Sequence, residues 1–277
     1  GPFAVDEGLV KVEGDEALVR IHNTNTSKII HSRFRVKDGM AVIEGEQTIP
    51  GVSGTAAPIR LDFLNPGGAT SGKLLPTGNT VDQLDVPGIG RIDVSMVDAA
   101  NGCLFIEASA LGLTATELPD VLEANKEAMA ALEAIRRAAA VAMGLAKNPE
   151  STPQGNPKVA IVAAPAPFKT ISGLEVPAGD CDLLVRMISM GQCHRVLPLT
   201  GGLCAGVACR LEGSTAARNF KRSGDAIRLG TPSGILSVDA EVLRKADGWH
   251  AERASVFRTA RRLMEGCVLI PNFTAAA

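Results

Sequence analysis

Aromatic side chains are scarce in this chain. They make up 3% of its 277 residues, with a single tryptophan, Trp249, and no tyrosine. The core has to be assembled from Ala, Val, Leu and Ile, and the stacking platforms that hold single-stranded nucleic acid are lacking. An excess of positive charge is missing too. The 28 Lys and Arg are outweighed by 30 Asp and Glu, giving a formal net charge of −2, so nothing suggests a nucleic-acid partner. No apolar run reaches the roughly 18 residues that a membrane-spanning helix needs, so no membrane partner is expected. Six cysteines (Cys103, Cys181, Cys193, Cys204, Cys209, Cys267) form no CxxC pair and no secretory leader precedes them, a pattern that predicts reduced thiols in a cytoplasmic protein.

What is present is an ordinary globular composition, 45% apolar and 21% charged, long enough for one large or two ordinary domains. The chain opens on Gly1-Pro2-Phe3-Ala4-Val5-Asp6-Glu7-Gly8, which reads as the last turn of a helix ending in a glycine cap. The expectation is that a natural N-terminal segment precedes it. Strands are predicted over 17–23, 27–36, 40–44, 57–64, 91–97 and 103–108 from alternation and β-branched content. One long helix is predicted from Asp120 to Ala146, with a solvated outer face. Strands resume at 158–164, 181–190, 226–229, 234–240, 250–258 and 262–270.

Three pieces suggest a ligand. Pro76-Thr77-Gly78-Asn79 offers a fixed turn, positive-φ freedom at Gly78 and short polar groups that could cradle a carboxylate, although such a turn also serves simply to reverse the chain. Thr200 is a good N-cap, and the nine residues after it carry no charge, so this helix must be buried on every side, most economically inside a curled sheet. Its first turn, Thr200, Gly201 and Gly202, would point free N–H groups and positive dipole at an anion, or simply end in the core. Pro232-Ser233-Gly234 repeats the proline, hydroxyl, glycine logic at the entry to a strand, where a plain hairpin turn would look much the same. Arg258 is a cleft candidate on a basic strand whose alternation otherwise suits a solvated face. Cys193-His194 looks like a thiol–imidazole or metal pair, but neighbours on a strand face opposite ways, which favours a structural role. Cys204 and Cys209 read as small core residues.

Together with Val86-Pro-Gly-Ile-Gly90, Val97-Asp-Ala-Ala-Asn101, Glu117-Leu118, Ser189-Met-Gly-Gln-Cys-His194 and Arg258-Thr-Ala-Arg-Arg-Leu-Met-Glu-Gly266, these pieces resemble the PrpF family, in order along essentially the whole chain. That family includes 2-methylaconitate cis-trans isomerase and relatives that shift double bonds in small unsaturated di- and tricarboxylates. The resemblance implies an α+β fold like diaminopimelate epimerase: two similar curled-sheet domains, each around a central helix, with the active site between them. Residues 1–88 would be the remainder of the first domain, completed by 259–277 through a return strand at 262–270. Residues 89–258 would be the second domain, with its central helix near 200–211.

The resemblance also implies what this sequence does not carry. The family's Asn-Cys-Gly-Asn motif and its upstream Lys, the acid/base pair, do not occur here, so no catalytic residue is assigned. Lys73, in Thr70-Ser-Gly-Lys73, lies in the wrong place for that role. Ala100 and Gly102 stand where Gly and Pro are usual in the family. The implied chemistry is proton transfer beside a carboxylate-conjugated double bond, with the dienolate charge held by fixed donors and no cofactor or metal. The substrate-binding set is Thr77, Gly78, Asn79, Asn101, Thr200, Gly201, Gly202, Ser233, Gly234 and Arg258. A small polycarboxylate is the expected partner, and a homodimer is compatible with this reading. The alternative functions are a non-catalytic polycarboxylate-binding or accessory protein, and a structural partner domain whose turns bind nothing.

Overall fold

A computed structural model describes residues 1–222 and 224–270. Its strands in chain order begin with β1 (Glu16–Asn23), β2 (Lys28–Lys37), β3 (Met40–Ala41), β4 (Gln47–Ile49), β5 (Val52–Ala56) and β6 (Ile59–Leu64). There follow β7 (Asp82–Val86), β8 (Gly90–Asp98), β9 (Gly102–Glu107), β10 (Lys158–Ala163), β11 (Phe168–Lys169) and β12 (Glu175–Val176). The last are β13 (Leu183–Ser189), β14 (Gln192–Cys193), β15 (Ile227–Thr231), β16 (Gly234–Lys245) and β17 (Gly248–Arg258). Helices are α1 (Pro2–Asp6), α2 (Pro119–Ala124), α3 (Lys126–Ala142), α4 (Leu199–Arg210) and α5 (Thr215–Asn219). A mixed sheet of 13 strands follows the path β1-β2-β6-β17-β16-β15-β13-β10-β9-β8-β7, with β3 and β14 pairing at its side; β4–β5 and β11–β12 are separate ribbons. The fold is α+β, as the sequence predicts.

Alternation along the central strands explains the architecture. Val97, Phe105, Ala160, Val162, Val185 and Met187 share one core with α4, while Met96, Leu104, Ile106, Val159, Ile161 and Leu184 share a second with α3. These strands are therefore covered on both faces, which is why they read as nearly continuous apolar runs. Within the curl, every α4 residue from Gly201 to Cys209 is buried. A β-carbon on Gly206 would stand 2.9 Å from Val238, and one on Gly202 2.8 Å from Leu236, so glycine is what lets the helix lie this close to β16. A third, smaller core joins Val5 of α1 to Ala17, Val19, Phe34, Val36 and Ile59 on β1, β2 and β6.

Three expectations are corrected. The helix expected from Asp120 to Ala146 is two helices broken at Asn125, where ψ is 84° and the side chain accepts from the Ala128 N–H. Asn caps a new helix better than it continues an old one. The outer face of α3 is solvated as expected, but Arg136, which its charge would place there, is buried. Last, residues 262–270 form no strand. Among the described residues they are exposed and without regular structure, although Arg262 pairs with Glu7 and lies over the Phe3 ring, 6.0 Å from its centroid. The segment thus reaches α1 through Arg262, with no strand ladder.

Candidate functional site

The first turn of α4 is built differently from its sequence reading. Pro198, in extended conformation (φ −56°, ψ 140°), is the N-cap, and no side chain caps the helix. Thr200 lies inside the first turn and is half-buried, so its hydroxyl is not spent on the cap. Proline at the cap pre-sets φ while contributing no N–H. The N–H groups of Leu199, Thr200 and Gly201 have no intrahelical carbonyl and none is taken by a cap side chain, so this end carries donors and positive dipole. Gly202, expected to offer a free N–H, instead donates it to the Pro198 carbonyl at 2.8 Å.

Register shows what surrounds that turn. Met187 of β13 lies against Gly201, and Leu236 of β16 lies against Gly202. Ser233, in the turn joining β15 and β16, donates its Oγ hydrogen to the Arg195 carbonyl at 2.6 Å, tying the turn to the segment that enters α4. Gly234 has φ +119°, and Thr231 closes the turn by donating to the Gly234 carbonyl at 2.8 Å. Arg258 ends β17 two residues beyond the Val256–Val238 pair, at the same end of the sheet. Its guanidinium is half-buried with no ion pair among the described residues, and burial lowers its pKa. Cys204 donates to the Val97 carbonyl at 3.4 Å. Asn101, in the turn between β8 and β9, lies four residues beyond Val97, and the β9–β10–β13 register puts that turn at the end of the sheet where β13 reaches Met187.

One group here was assigned from sequence, Asn101, and one was set aside as structural, His194. Asn101 Oδ1 and His194 Nε2 are buried polar atoms with no partner. His194 follows Cys193 out of β14, and its N–H donates to the Met187 carbonyl at 2.8 Å. Burial first, and Lys158 second, lower its pKa, keeping the imidazole neutral at pH 7. Cys193 faces inward, and burial pushes its thiol up to about 11, which makes it a poor nucleophile and supports the structural reading. The signal for His194 was its place in the Ser189–His194 motif, but sequence alone cannot show that its Nε2 is orphaned.

The Pro76–Asn79 turn is elsewhere. It does hold a carboxylate, but that carboxylate is Asp82: Thr77 Oγ1 donates to it at 2.7 Å and Asn79 Nδ2 at 2.8 Å. Gly78 takes φ +87°, as expected of it. Gly78 and Asn79 line a cleft near the opposite end of α4, beside Glu212 and Gly213. The structure thus gathers Asn101, Thr200, Gly201, Gly202, Ser233, Gly234 and Arg258 around the start of α4 and separates Thr77, Gly78 and Asn79 from them. Among the described residues, no group of three or more His, Cys, Asp or Glu side chains is arranged to hold a metal ion.

Comparison with known proteins sets this geometry in context. The family described as PrpF protein matches residues 1–271. The chain is 39% identical over 276 residues to 3-methylitaconate isomerase of Eubacterium barkeri, covering 98% of this chain and 71% of that protein. It is 37% identical over 284 residues to 2-methyl-aconitate isomerase of Shewanella oneidensis, covering 98% and 71%. A crystal structure of methylitaconate-delta-isomerase matches with a TM-score of 0.87 at 38% identity, over 96% of this chain and 69% of that one. A probable proline racemase from Agrobacterium radiobacter, 14% identical with a TM-score of 0.51 over 99% and 66%, shows the fold alone, that of the diaminopimelate epimerase type. The curled sheet, its central helix and the ordered motifs thus have one explanation: the chain belongs to the PrpF family and is an isomerase.

Proposed function

We propose that the protein isomerises a small unsaturated di- or tricarboxylate of the aconitate type, and that the first turn of α4 binds one of the substrate carboxylates. The observation that carries this reading is the uncapped turn with half-buried Thr200 on it and, at the same end of the sheet, the half-buried guanidinium of Arg258, which has no ion pair among the described residues. A carboxylate there would accept from the Thr200 hydroxyl and the first helical N–H groups, which also suit the negative charge that spreads into a dienolate after proton removal. Asn101 and His194 supply further polar atoms without partners. Three names among the relatives support the substrate class: 3-methylitaconate isomerase, 2-methyl-aconitate isomerase and (4E)-oxalomesaconate Delta-isomerase. In this reading residues 1–277 supply carboxylate binding, and proton transfer belongs to the family's Lys and Asn-Cys-Gly-Asn motif.

Two measurements test it. A polypeptide in which these residues follow both motifs should incorporate solvent deuterium into trans-aconitate, read by NMR, whereas residues 1–277 alone should not. Removal of a positioned acid or base lowers the rate by about 10²–10⁴-fold. Exchange at an enzymatic rate by residues 1–277 would move the chemistry to side chains named here, His194 and Lys158 first. In calorimetric titration with tricarballylate, Thr200→Val should weaken binding by about 1.5–3 kcal/mol. Because Thr200 is not the cap, the same change should leave the fold within about 0.5 kcal/mol. Equal affinities would remove α4 from the site.

A further inference from the structure

A cleft of about 960 Å³ opens near the other end of α4, and Lys28, Lys73, Glu212, Arg218, Arg244 and Trp249 are among the residues that line it. The helix has 12 residues, and Glu212 and Gly213 of the cleft follow its last turn, about 18 Å from its first. Four permanent cations from four separate parts of the chain meet here: β2, the loop before β7, α5 and β16. Among the described residues, Lys28, Lys73 and Arg244 have no acidic partner, and Arg218 has only Asp93 at 3.7 Å. Asp247 is taken by His250 at 2.8 Å. The negative end of α4, about half a charge, and Glu212 oppose an anion but are outweighed by the four cations.

The loop that presents Lys73 is purpose-shaped. Asp98, fully buried, accepts from the backbone N–H of Thr70 at 2.8 Å, from that of Ser71 and from the Ser71 hydroxyl at 2.8 Å. The loop closes on itself, with Gly72 N–H donating to the Gly68 carbonyl at 3.2 Å. Gly68 sits at φ +74°, and a β-carbon there would lie 2.6 Å from the Gly72 carbonyl carbon. A buried carboxylate with several donors is a strong and directional fixture, and what it fixes is the approach of Lys73 to the cleft. The same loop braces the turn that carries Asn101, through the Gly102 N–H donated to Thr70 Oγ1 at 3.2 Å, but Lys73 itself has no part in the proposed isomerisation.

We propose that this cleft is a second anion site, and that it takes a diphosphate group. Four cations lining a space this large call for charge on more than one centre, and the volume lies at the upper end of small-molecule sites, well beyond a six-carbon acid. Free diphosphate and a nucleoside diphosphate share that chemistry. The test is calorimetric titration of the protein with inorganic pyrophosphate and, separately, with ADP. Both should bind, more weakly as salt rises. The Lys73→Gln/Arg244→Gln variant should lose about tenfold or more in affinity, while Thr200→Val should lose none. Both replaced side chains are exposed, so the fold should persist; Arg218→Gln provides an independent single change. Pyrophosphate binding as tightly as ADP would assign the site to free diphosphate, and tighter ADP binding to a nucleotide. Absence of binding by both, or equal affinity in the double variant and Arg218→Gln, would overturn the proposal. Loss in Thr200→Val instead would place the anion at α4 and leave the isomerase reading intact.

Discussion

Ala100 shows how a single residue carries a trace of its backbone. It has φ +62°, in the left-handed region, where its N–H donates to the Pro66 carbonyl at 2.8 Å. The family's usual residue at this place is Gly, and the structure supplies the reason: a β-carbon in that conformation costs about 1–2 kcal/mol, which glycine avoids. Glycine gives some of this back through its greater freedom in the unfolded chain, about 0.5–1 kcal/mol. Ala100→Gly is therefore expected to stabilise the fold by about 0.5–1 kcal/mol, measured by urea unfolding; a loss of stability would show that the methyl group packs favourably. Gly102, where Pro is usual, uses the N–H that proline would lack, donating it to Thr70 Oγ1 at 3.2 Å. Both departures from the family thus lie in the turn that carries Asn101.

At the scale of elements, α3 shows why charge pattern alone misplaces a side chain. Arg136 is 4% exposed and held by Glu133 at 2.7 and 2.9 Å and by the carbonyls of Pro153 at 2.6 Å and Asn156 at 3.1 Å. It clamps the loop after α3 to the helix. Arg136→Met would leave the two carbonyls unpaired; since Glu133 keeps Arg137 at 2.7 Å and is partly in water, the loss should be about 3 kcal/mol, at the low end for a broken buried pair. The hydrogen bond from Arg136 is the largest cause of a lowered Glu133 pKa. A carboxylate whose folded pKa lies below its unfolded value adds stability that is present above the unfolded pKa and is lost as pH falls through the folded one. The wild-type protein should therefore lose stability more steeply than Arg136→Met as pH drops from about 5 towards 3. Parallel curves in urea titrations at several pH values would show that Arg136 acts by packing alone.

Across the whole molecule, the cysteines report how completely the sheet closes on α4. All six are free, and Cys103, Cys181, Cys193, Cys204 and Cys209 are buried, leaving Cys267 exposed. Burial raises the Cys181, Cys193, Cys204 and Cys209 thiols above their ordinary range. A thiolate-selective reagent at pH 8 should label one thiol per chain in the native protein and six in denaturant. Labelling of more than one at the native rate would show that the curl opens around α4 or at β14 without global unfolding.

The sequence by itself determined the strands with clear alternation, a chargeless buried helix running on from Thr200, the turns at Gly78 and Gly234 and the family. These follow from local rules: period, glycine freedom, and the need of a chargeless helix for cover on all sides. Tertiary structure decided the rest. Whether Thr77 and Asn79 face a ligand depends on Asp82, which reaches them first. Whether Thr200 caps depends on Pro198 starting the helix two residues earlier. Whether 262–270 forms a strand depends on a free edge beside it, which no local pattern encodes. Asn101, Ser233 and Arg258 are far apart in sequence, and only the register of β8–β9, β15–β16 and β16–β17 brings them to the end of the sheet where α4 begins. Local chemistry selects elements, but a site is made by non-local pairing, and its partners are set by the packing that leaves some polar atoms satisfied and others free.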